Sequence, residues 1–417
     1  ESLLEYRKIP ETNLLFEKWF IIGGSQIYKE FIERNLVDEM ILTEWTIEEW
    51  FPMGVPKIDK DFIEKISMDT YFPLKLKDIE RKYEVVSESD KFIEDSGTYG
   101  LISYVFKTYK HKSNYKKKLV NIKMNNGETQ YLKILNKILQ KGEERQSRNA
   151  KTLSIFGERL EFDIEHKFPL LTTKKMFWKG IYGELLWFLK ANTNSKDLEK
   201  KGVRIWQGNS TREYLDSIGL NDYAEGECGP IYGFQWRHFN AKYEGCDADY
   251  TGKGVDQLNN IIKMLKDPVE RFSRRIILSA WNPCQIEEMA LPPCHVLMQF
   301  HVNKNLELSC VLFQRSGDFG LGVPFNIASY SFLTHLIAHH CDLEAKELIH
   351  FIGNCHIYDD HVEALKYQLN SALYDGWHKF PTLDILEKRE LIDDYKFQDF
   401  KVNNYKYNES IKMNMRV

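Results

Sequence analysis

The 417-residue chain has no run of about 18 apolar residues, so no stretch of it reads as a membrane-spanning helix. It has no N-terminal signal-peptide pattern, and it does not start with methionine, so Glu1 is not expected to be a natural N-terminus. Cysteine is scarce and unpatterned. Seven are present, an odd count without regular spacing, and there is no C-x-x-C or Cys/His grouping of zinc type. That excludes a disulfide framework and a zinc ribbon. Neither sign of charge dominates: 57 Lys and Arg stand against 61 Asp and Glu, a net charge of −4. This argues against broad binding to DNA or a membrane surface, while leaving local basic pockets open. The expectation is a soluble chain from a reducing compartment, the cytoplasm. Apolar residues make up 43%, ample for sizeable cores, and the length suggests two to three domains.

The most informative stretch runs from Ala290 to Asn326. Cys294 follows the rigid pair Pro292-Pro293 and heads a strand-like run, Val296 to Val302. A polar turn, Asn303 to Asn305, leads to a second such run, Leu306 to Phe313, which ends in Gln314, Arg315, Ser316 and Asp318. Two apolar runs joined by three polar residues predict a hairpin. Pairing would bring Cys294 and Arg315 together at the end away from the turn. A thiolate is a nucleophile and a nearby guanidinium favours it. The guanidinium and the Ser316 hydroxyl also suit a phosphate. Most cysteines are small buried hydrophobes; Cys284, Cys310 and Cys341 are read that way, and Cys294 is set apart by its neighbours.

Elsewhere, Ile181 to Leu189 predicts a buried helix, apolar almost all round except at Glu184. A carboxylate there must be paired, neutralised or functional. Tyr131, Ile134, Leu135, Ile138 and Leu139 mark an amphipathic helix that stops at Gly142. Arg274-Arg275 would in most proteins be an exposed basic pair. His356 and Tyr358, two residues apart, share a face if extended. A metal reading of His356 and His361 lacks third and fourth ligands. Near the front, a strand (Trp19 to Ile22), Gly23-Gly24, a helical run (Ile27 to Ile32) and a strand (Met40 to Thr43) spell a βαβ unit. Its glycines and helix N-terminus suit an anion.

The blocks FPLLTTKK, GPIYGFQWRHF, SRRIILSAWN, ALPPCH, QRSGDFGLGVPFNIASY and HIY, taken in order between Glu128 and Val417, closely resemble thymidylate synthase. The resemblance implies an α/β fold with a large mixed sheet at a two-fold dimer interface. It implies reductive methylation of dUMP to dTMP, with 5,10-methylenetetrahydrofolate as co-substrate. Cys294 would attack the base, while Glu184 relays protons and Tyr232 helps to remove the C5 proton. Arg315, Ser316 and Gln314 would sit at the nucleotide, with Arg274 and Arg275 reaching the partner's phosphate in a homodimer with shared sites. Asn326 would read the uracil edge, and His356 and Tyr358 the ribose hydroxyl. Asp318 would hold the pterin, beside Trp206, Asn209, Leu321, Gly322 and Phe325 on the folate side.

Gly23-Gly24, joined to Asp69-Thr-Tyr-Phe-Pro73 and Tyr104-Val-Phe106, resembles the second half of dihydrofolate reductase, where the glycine pair meets NADPH. The expected organisation is a partial, doubly wound reductase-like segment over 1–110, a linker over 111–127 and the synthase domain over 128–417. The full-length parent is expected to be bifunctional, while the chain as given, with half a reductase, is expected not to reduce dihydrofolate. Trp45 to Ile66 reads as an inserted loop.

Three places depart from the family pattern. The arginine expected on a phosphate-closing loop falls on Ser147; Arg148 is the favoured substitute, with Arg145 the alternative. Gln207 replaces an aspartate after Trp206, and Arg416 replaces a small residue in the tail. A related enzyme class that hydroxymethylates dCMP would carry an aspartate at the base-reading position, so Asn326 favours uracil. An inactive scaffold or an RNA-binding regulator is the reading from another class; the intact Cys294, Arg315, Asp318 and Asn326 and the negative charge weigh against it.

Overall fold

The computed structural model describes residues 39–47, 79, 83–95, 101–111, 126–147, 150–375 and 377–416. Chain contacts divide them into two units, one holding the described residues up to His111 and the other those from Asn126 on. In the first, strands β1 (Glu39–Ile47), β2 (Tyr83–Glu88) and β3 (Phe92–Asp95) each pair antiparallel with β4 (Leu101–His111). β1 continues through Trp45 to Ile47, so the front of the expected inserted loop is strand. Gly23, Gly24 and Asp69 to Pro73 lie outside the described residues. β4 runs to His111, and the first helix of the second unit, α1, spans Asn126–Lys141, so both ends of the expected linker belong to regular elements.

α1 buries Tyr131, Leu132, Ile134, Leu135 and Ile138 on one face. Glycine is required at position 142, because a Cβ there would lie 2.4 Å from the Ile138 carbonyl oxygen. The core of this unit is one mixed sheet in the order β5-β6-β10-β9-β8-β7. Its strands are β5 (Glu143–Gln146), β6 (Lys151–Asp163), β7 (Ile277–Ser279), β8 (His295–Val302), β9 (Glu307–Asp318) and β10 (Glu344–Tyr358). Only β9 and β10 run parallel; the other neighbours are antiparallel.

The hairpin that the sequence predicts is β8–β9, with Val302 opposite Leu308 and His295 opposite Gln314. The Asn303 side-chain oxygen accepts from the Asn305 and Glu307 amides, closing the turn. β9 outlasts its expected end at Phe313, because Gln314, Ser316, Gly317 and Asp318 keep a partner in β10. Alternation then sorts the side chains: Leu308, Cys310, Leu312 and Gln314 are buried, and Phe313 is exposed.

Of its helices, α1 packs on β6 and β10, and one almost wholly buried along its length, α3 (Gly322–His340), packs on β9 and β10. A further helix, α2 (Trp178–Leu189), packs on α3. Among the described residues no helix is long and apolar enough to cross a membrane.

Candidate active site

Three chain segments converge on Cys294. It lies just before β8, and its carbonyl accepts from the Arg315 backbone N–H at 2.9 Å, so the end of the hairpin joins nucleophile and arginine through the main chain. The Cys294 backbone N–H donates to the Tyr232 hydroxyl at 2.7 Å. Tyr232 is held in turn by stacking on Phe188 of α2, ring centres 4.8 Å apart. Burial pushes the Cys294 thiol up; the Arg315 charge and the Tyr232 hydroxyl act against that. The expected thiolate-favouring guanidinium is therefore present, but desolvation outweighs it. The Arg315 side chain is itself engaged: its Nε and one Nη donate to the Pro293 and Pro292 carbonyls at 2.9 and 2.8 Å, and it lies over the Trp281 ring. A further fit is enforced at Gly353 of β10, where a Cβ would sit 2.8 Å from the Arg315 carbonyl oxygen.

Asn326, one turn into α3, is buried, and its Oδ1 accepts from Gln314 Nε2 at 3.0 Å. His295, beside the same amide, is driven down to about 3 by burial and is neutral. Its ring centre lies 5.1 Å from those of Tyr232 and Tyr330. Glu184 projects from α2 into the buried region and accepts from the Trp206 indole N–H at 2.8 Å. Burial raises its pKa to about 7, with the indole bond acting in the opposite direction. A carboxyl group so placed can hold or release a proton near neutrality.

At the far end of β9, Asp318 accepts from the amides of Gly320, Leu321 and Gly322, and so holds the turn that leads into α3. It is opposite His356 in the β9–β10 register, and His356 and Tyr358 lie edge to face, ring centres 5.3 Å apart. Beneath the same turn, the buried Lys174 ammonium donates to the Gly320 carbonyl. Desolvation lowers its pKa to about 8 against the pull of Asp318 and Glu128.

The sequence model of the family described as thymidylate synthase matches residues 129–417. The chain belongs to the thymidylate synthase family. A bifunctional dihydrofolate reductase-thymidylate synthase of Paramecium tetraurelia is 42% identical over 407 residues, covering 97% of this chain and 80% of that protein. The protein of the same description from Zea mays is 41% identical over 440 aligned positions, covering 100% and 79%. The Homo sapiens thymidylate synthase is 51% identical over 292 residues, covering 70% and 91%.

The synthase-family residues singled out from the sequence do not all meet. Cys294, Arg315 and Tyr232 touch; so do Gln314 and Asn326, Glu184 and Trp206, and Asp318 with Gly320 to Gly322. Asn209 is buried in the turn Gly208–Ser210, Ser316 is half-buried on β9, and Phe325 is half-buried on α3. Arg274 and Arg275 precede β7, exposed and without side-chain partners among the described residues. Arg145 stands exposed on β5, paired with Glu143 at 2.7 Å. Arg148 lies outside the described residues. In the tail, Arg416 pairs with Asp360 at 2.8 Å, and the Asn414 carbonyl accepts from His361 at 2.7 Å. All seven cysteines are unpaired.

Sequence reasoning passed over His295, His350 and Lys174. His350 had a usable signal: a polar residue in the core-facing row of Leu348, His350 and Ile352. His295 and Lys174 lie inside the blocks ALPPCH and FPLLTTKK, and no local pattern sets either apart there.

Proposed function

We propose that this chain is a thymidylate synthase that converts dUMP to dTMP, with 5,10-methylenetetrahydrofolate as co-substrate and dihydrofolate as the second product. The observation that carries the reading is the contact of Cys294 with both Arg315 and Tyr232 at the open end of the hairpin. Cys294 forms a C–S bond to C6 of the uracil, and the displaced electron pair passes through C5 toward O4. Arg315 and the Tyr232 hydroxyl support the thiolate against burial. Glu184, half-protonated near pH 7, moves protons at O4 and on the folate side, and Tyr232 takes part in removal of the C5 proton. Methylenetetrahydrofolate supplies the one-carbon unit and the hydride; Trp206, Asn209, Asp318, Leu321, Gly322 and Phe325 would hold it.

Asn326 reads the uracil edge, accepting from N3–H and donating to O4. That arrangement disfavours the cytosine-specific alternative. His356 and Tyr358 take the ribose hydroxyl. Arg315 and Ser316 take the phosphate with Arg148, and with Arg274 and Arg275 of the partner subunit. The homodimer forms over the outer face of the sheet, where Ile277, Phe313 and Phe351 stand 40% or more exposed. The cytoplasm, where free thiols persist, suits seven unpaired cysteines. The bifunctional relatives support assigning the front unit to a dihydrofolate reductase domain that takes NADPH, with Gly23 and Gly24 at the cofactor.

The test is covalent trapping. Incubation with 5-fluoro-dUMP and methylenetetrahydrofolate, followed by peptide mass spectrometry, should place one adduct on Cys294. An adduct on another cysteine, or none alongside measurable dTMP formation, overturns the assignment.

A further inference from the structure

The groups that bear on Cys294 come from segments far apart in the chain, and one buried side chain joins two of those segments. Tyr232, whose hydroxyl meets the Cys294 amide, opens the short helix Tyr232–His238. Trp281 lies two residues past β7, with the Arg315 guanidinium over its ring. The two proline carbonyls hold the edge of that guanidinium, and Trp281 covers its face.

Gln235, one turn into the helix, is fully buried. Its Nε2 donates to the Pro230 carbonyl, just ahead of Tyr232, at 2.8 Å and to Gln285 Oε1 at 3.0 Å. Its Oε1 accepts at 3.2 Å from Nδ2 of Asn282, the residue after Trp281. Asn282 places its other Nδ2 hydrogen on Gln285 Oε1, 2.9 Å away. The main chain fixes the sense of all three amides. The Pro230 and Ala241 carbonyls accept from Gln235 and Gln285, and the Cys284 N–H donates to Asn282 Oδ1. On the other side of Trp281, Gln257 accepts from the Ser279 N–H at 3.1 Å. It donates to the Ser279 and Gln235 carbonyls at 2.8 and 2.7 Å. Trp281 is thus tied at Ser279 and at Asn282, and both ties end on Gln235, one on its main chain and one on its side chain.

Apolar packing is non-directional, whereas hydrogen bonds fix direction and distance. The Phe188 stack holds Tyr232 from the α2 side; the amide set holds its helix from the Trp281 side. We infer that Gln235 is a positioning residue for the reaction, setting the Tyr232 hydroxyl and the Trp281–Arg315 pair in one frame around the Cys294 thiol. It touches none of the reacting atoms. Burial raises the thiol pKa while Arg315 and Tyr232 oppose it, so loosening that frame lowers the thiolate fraction. The inference rests on the proposed role of Cys294 as nucleophile.

Gln235→Leu keeps nearly the same bulk, cuts the side-chain tie and leaves the Gln257 tie in place, so a graded loss is expected. Alkylation of Cys294 by iodoacetamide, followed site by site with mass spectrometry, should be about fivefold slower at pH 7. Its rise with pH should be displaced upward, and kcat should fall by a similar factor. A parent-like profile in folded Gln235→Leu overturns the inference. Phe234→Leu is the control, because Phe234 sits on the same helix but in a separate cluster with Ala241 and Tyr250. It should lower Tm without displacing the profile; an equal displacement there overturns a specific role for Gln235. Native-state hydrogen exchange on the parent protein needs no variant. The Cys294 N–H and the Gln235 side-chain N–H groups should open together, with one urea dependence. Opening at Cys294 while Gln235 stays protected overturns the frame. Covalent trapping on the parent separates the layers: without an adduct on Cys294 the nucleophile reading fails, and with one but an unmoved Gln235→Leu profile the positioning role alone fails.

Discussion

Asn326, Gln314, His350 and Glu184 are buried and hydrogen-bonded, each to a named partner. At the other end of the proposed nucleotide site, Arg274 and Arg275 are exposed, and Arg315 rests on the carbonyls of Pro292 and Pro293. The base end is fixed before substrate arrives: its donors and acceptors have one arrangement, set by backbone carbonyls and buried neighbours. The phosphate end is a set of charges on long side chains, one of which already places two of its five N–H donors on backbone carbonyls. In the proposed site, selectivity and attraction are thus handled by separate parts. Short, dry hydrogen bonds discriminate between bases because a mismatch leaves a buried group unpaired. Mobile guanidinium groups attract any phosphate and discriminate little.

The strongest challenge to this division removes the chemistry while leaving both ends intact. Cys294→Ala should lower turnover by about 10⁴-fold or more, since no other nucleophile shares its position. The dUMP dissociation constant should change by less than about threefold, because no proposed binding contact uses the thiol. Single-turnover kinetics and equilibrium binding measure the two effects. A comparable loss of binding would show that the thiol is part of the recognition surface.

Glu184→Gln comes next, with kcat expected to fall roughly 10²–10³-fold, the range of a lost proton-transfer group. The kcat–pH profile of the parent should bend near 7, and the variant's should not. Stability gives an independent sign. The folded-state pKa is about 7, raised by burial from the ordinary carboxyl value of 4.5. The proton is thus held more tightly in the folded state. The associated stabilisation is fully present below about pH 4.5 and is lost as pH rises through 7, on the order of 3 kcal/mol at most. Glu184→Gln should remove that slope from the unfolding free energy measured between pH 5 and 8. A parent protein whose stability is flat across this window would mean that Glu184 is ionised throughout.

At the phosphate end, Arg275→Ala should raise KM for dUMP by roughly ten- to a hundredfold, the worth of a charge-assisted contact, with a smaller change in kcat. If the arginine belongs to the neighbouring site, mixing it with Cys294→Ala should restore activity. A mixed dimer gathers both lesions in one site and leaves the other whole, so about a quarter of the parent's activity per chain is expected after full exchange. No recovery, with each parent variant impaired, would place Arg275 in its own subunit's site.

What the sequence made legible follows the same division. The hairpin, the buried helix around Glu184 and the shared face of His356 and Tyr358 could be read locally, from alternation, helical period and spacing. The hydrogen bonds joining Gln314 to Asn326 and His350 could not. Gln314, Asn326 and His350 come from β9, α3 and β10, and their meeting depends on the parallel β9–β10 register, which no local pattern encodes. Asp318 was singled out through the family resemblance alone, and its bonds to the Gly320, Leu321 and Gly322 amides need the path of Phe319 to Gly322. The engagement of Arg315 with two proline carbonyls was also hidden, because spacing gives the approach of two segments but not which groups are already satisfied.

The smallest expected effect sharpens the comparison most cleanly, since it changes no residue. The Debye length falls from about 10 Å at 0.1 M salt to about 3 Å at 1 M. Exposed charges acting on a phosphate across solvent are weakened by that change; buried hydrogen bonds around Asn326 are not. The dissociation constant for dUMP should therefore rise a few-fold over this range, and that for dCMP should rise by the same factor. Their ratio should hold within about twofold, because both nucleotides carry the same phosphate and differ only at the screened-off base end. Calorimetric titration of each nucleotide at both salt concentrations provides the four constants. A ratio that drifts with salt would mean that long-range charge contributes to choosing the base, and the separation of attraction from selectivity would fail.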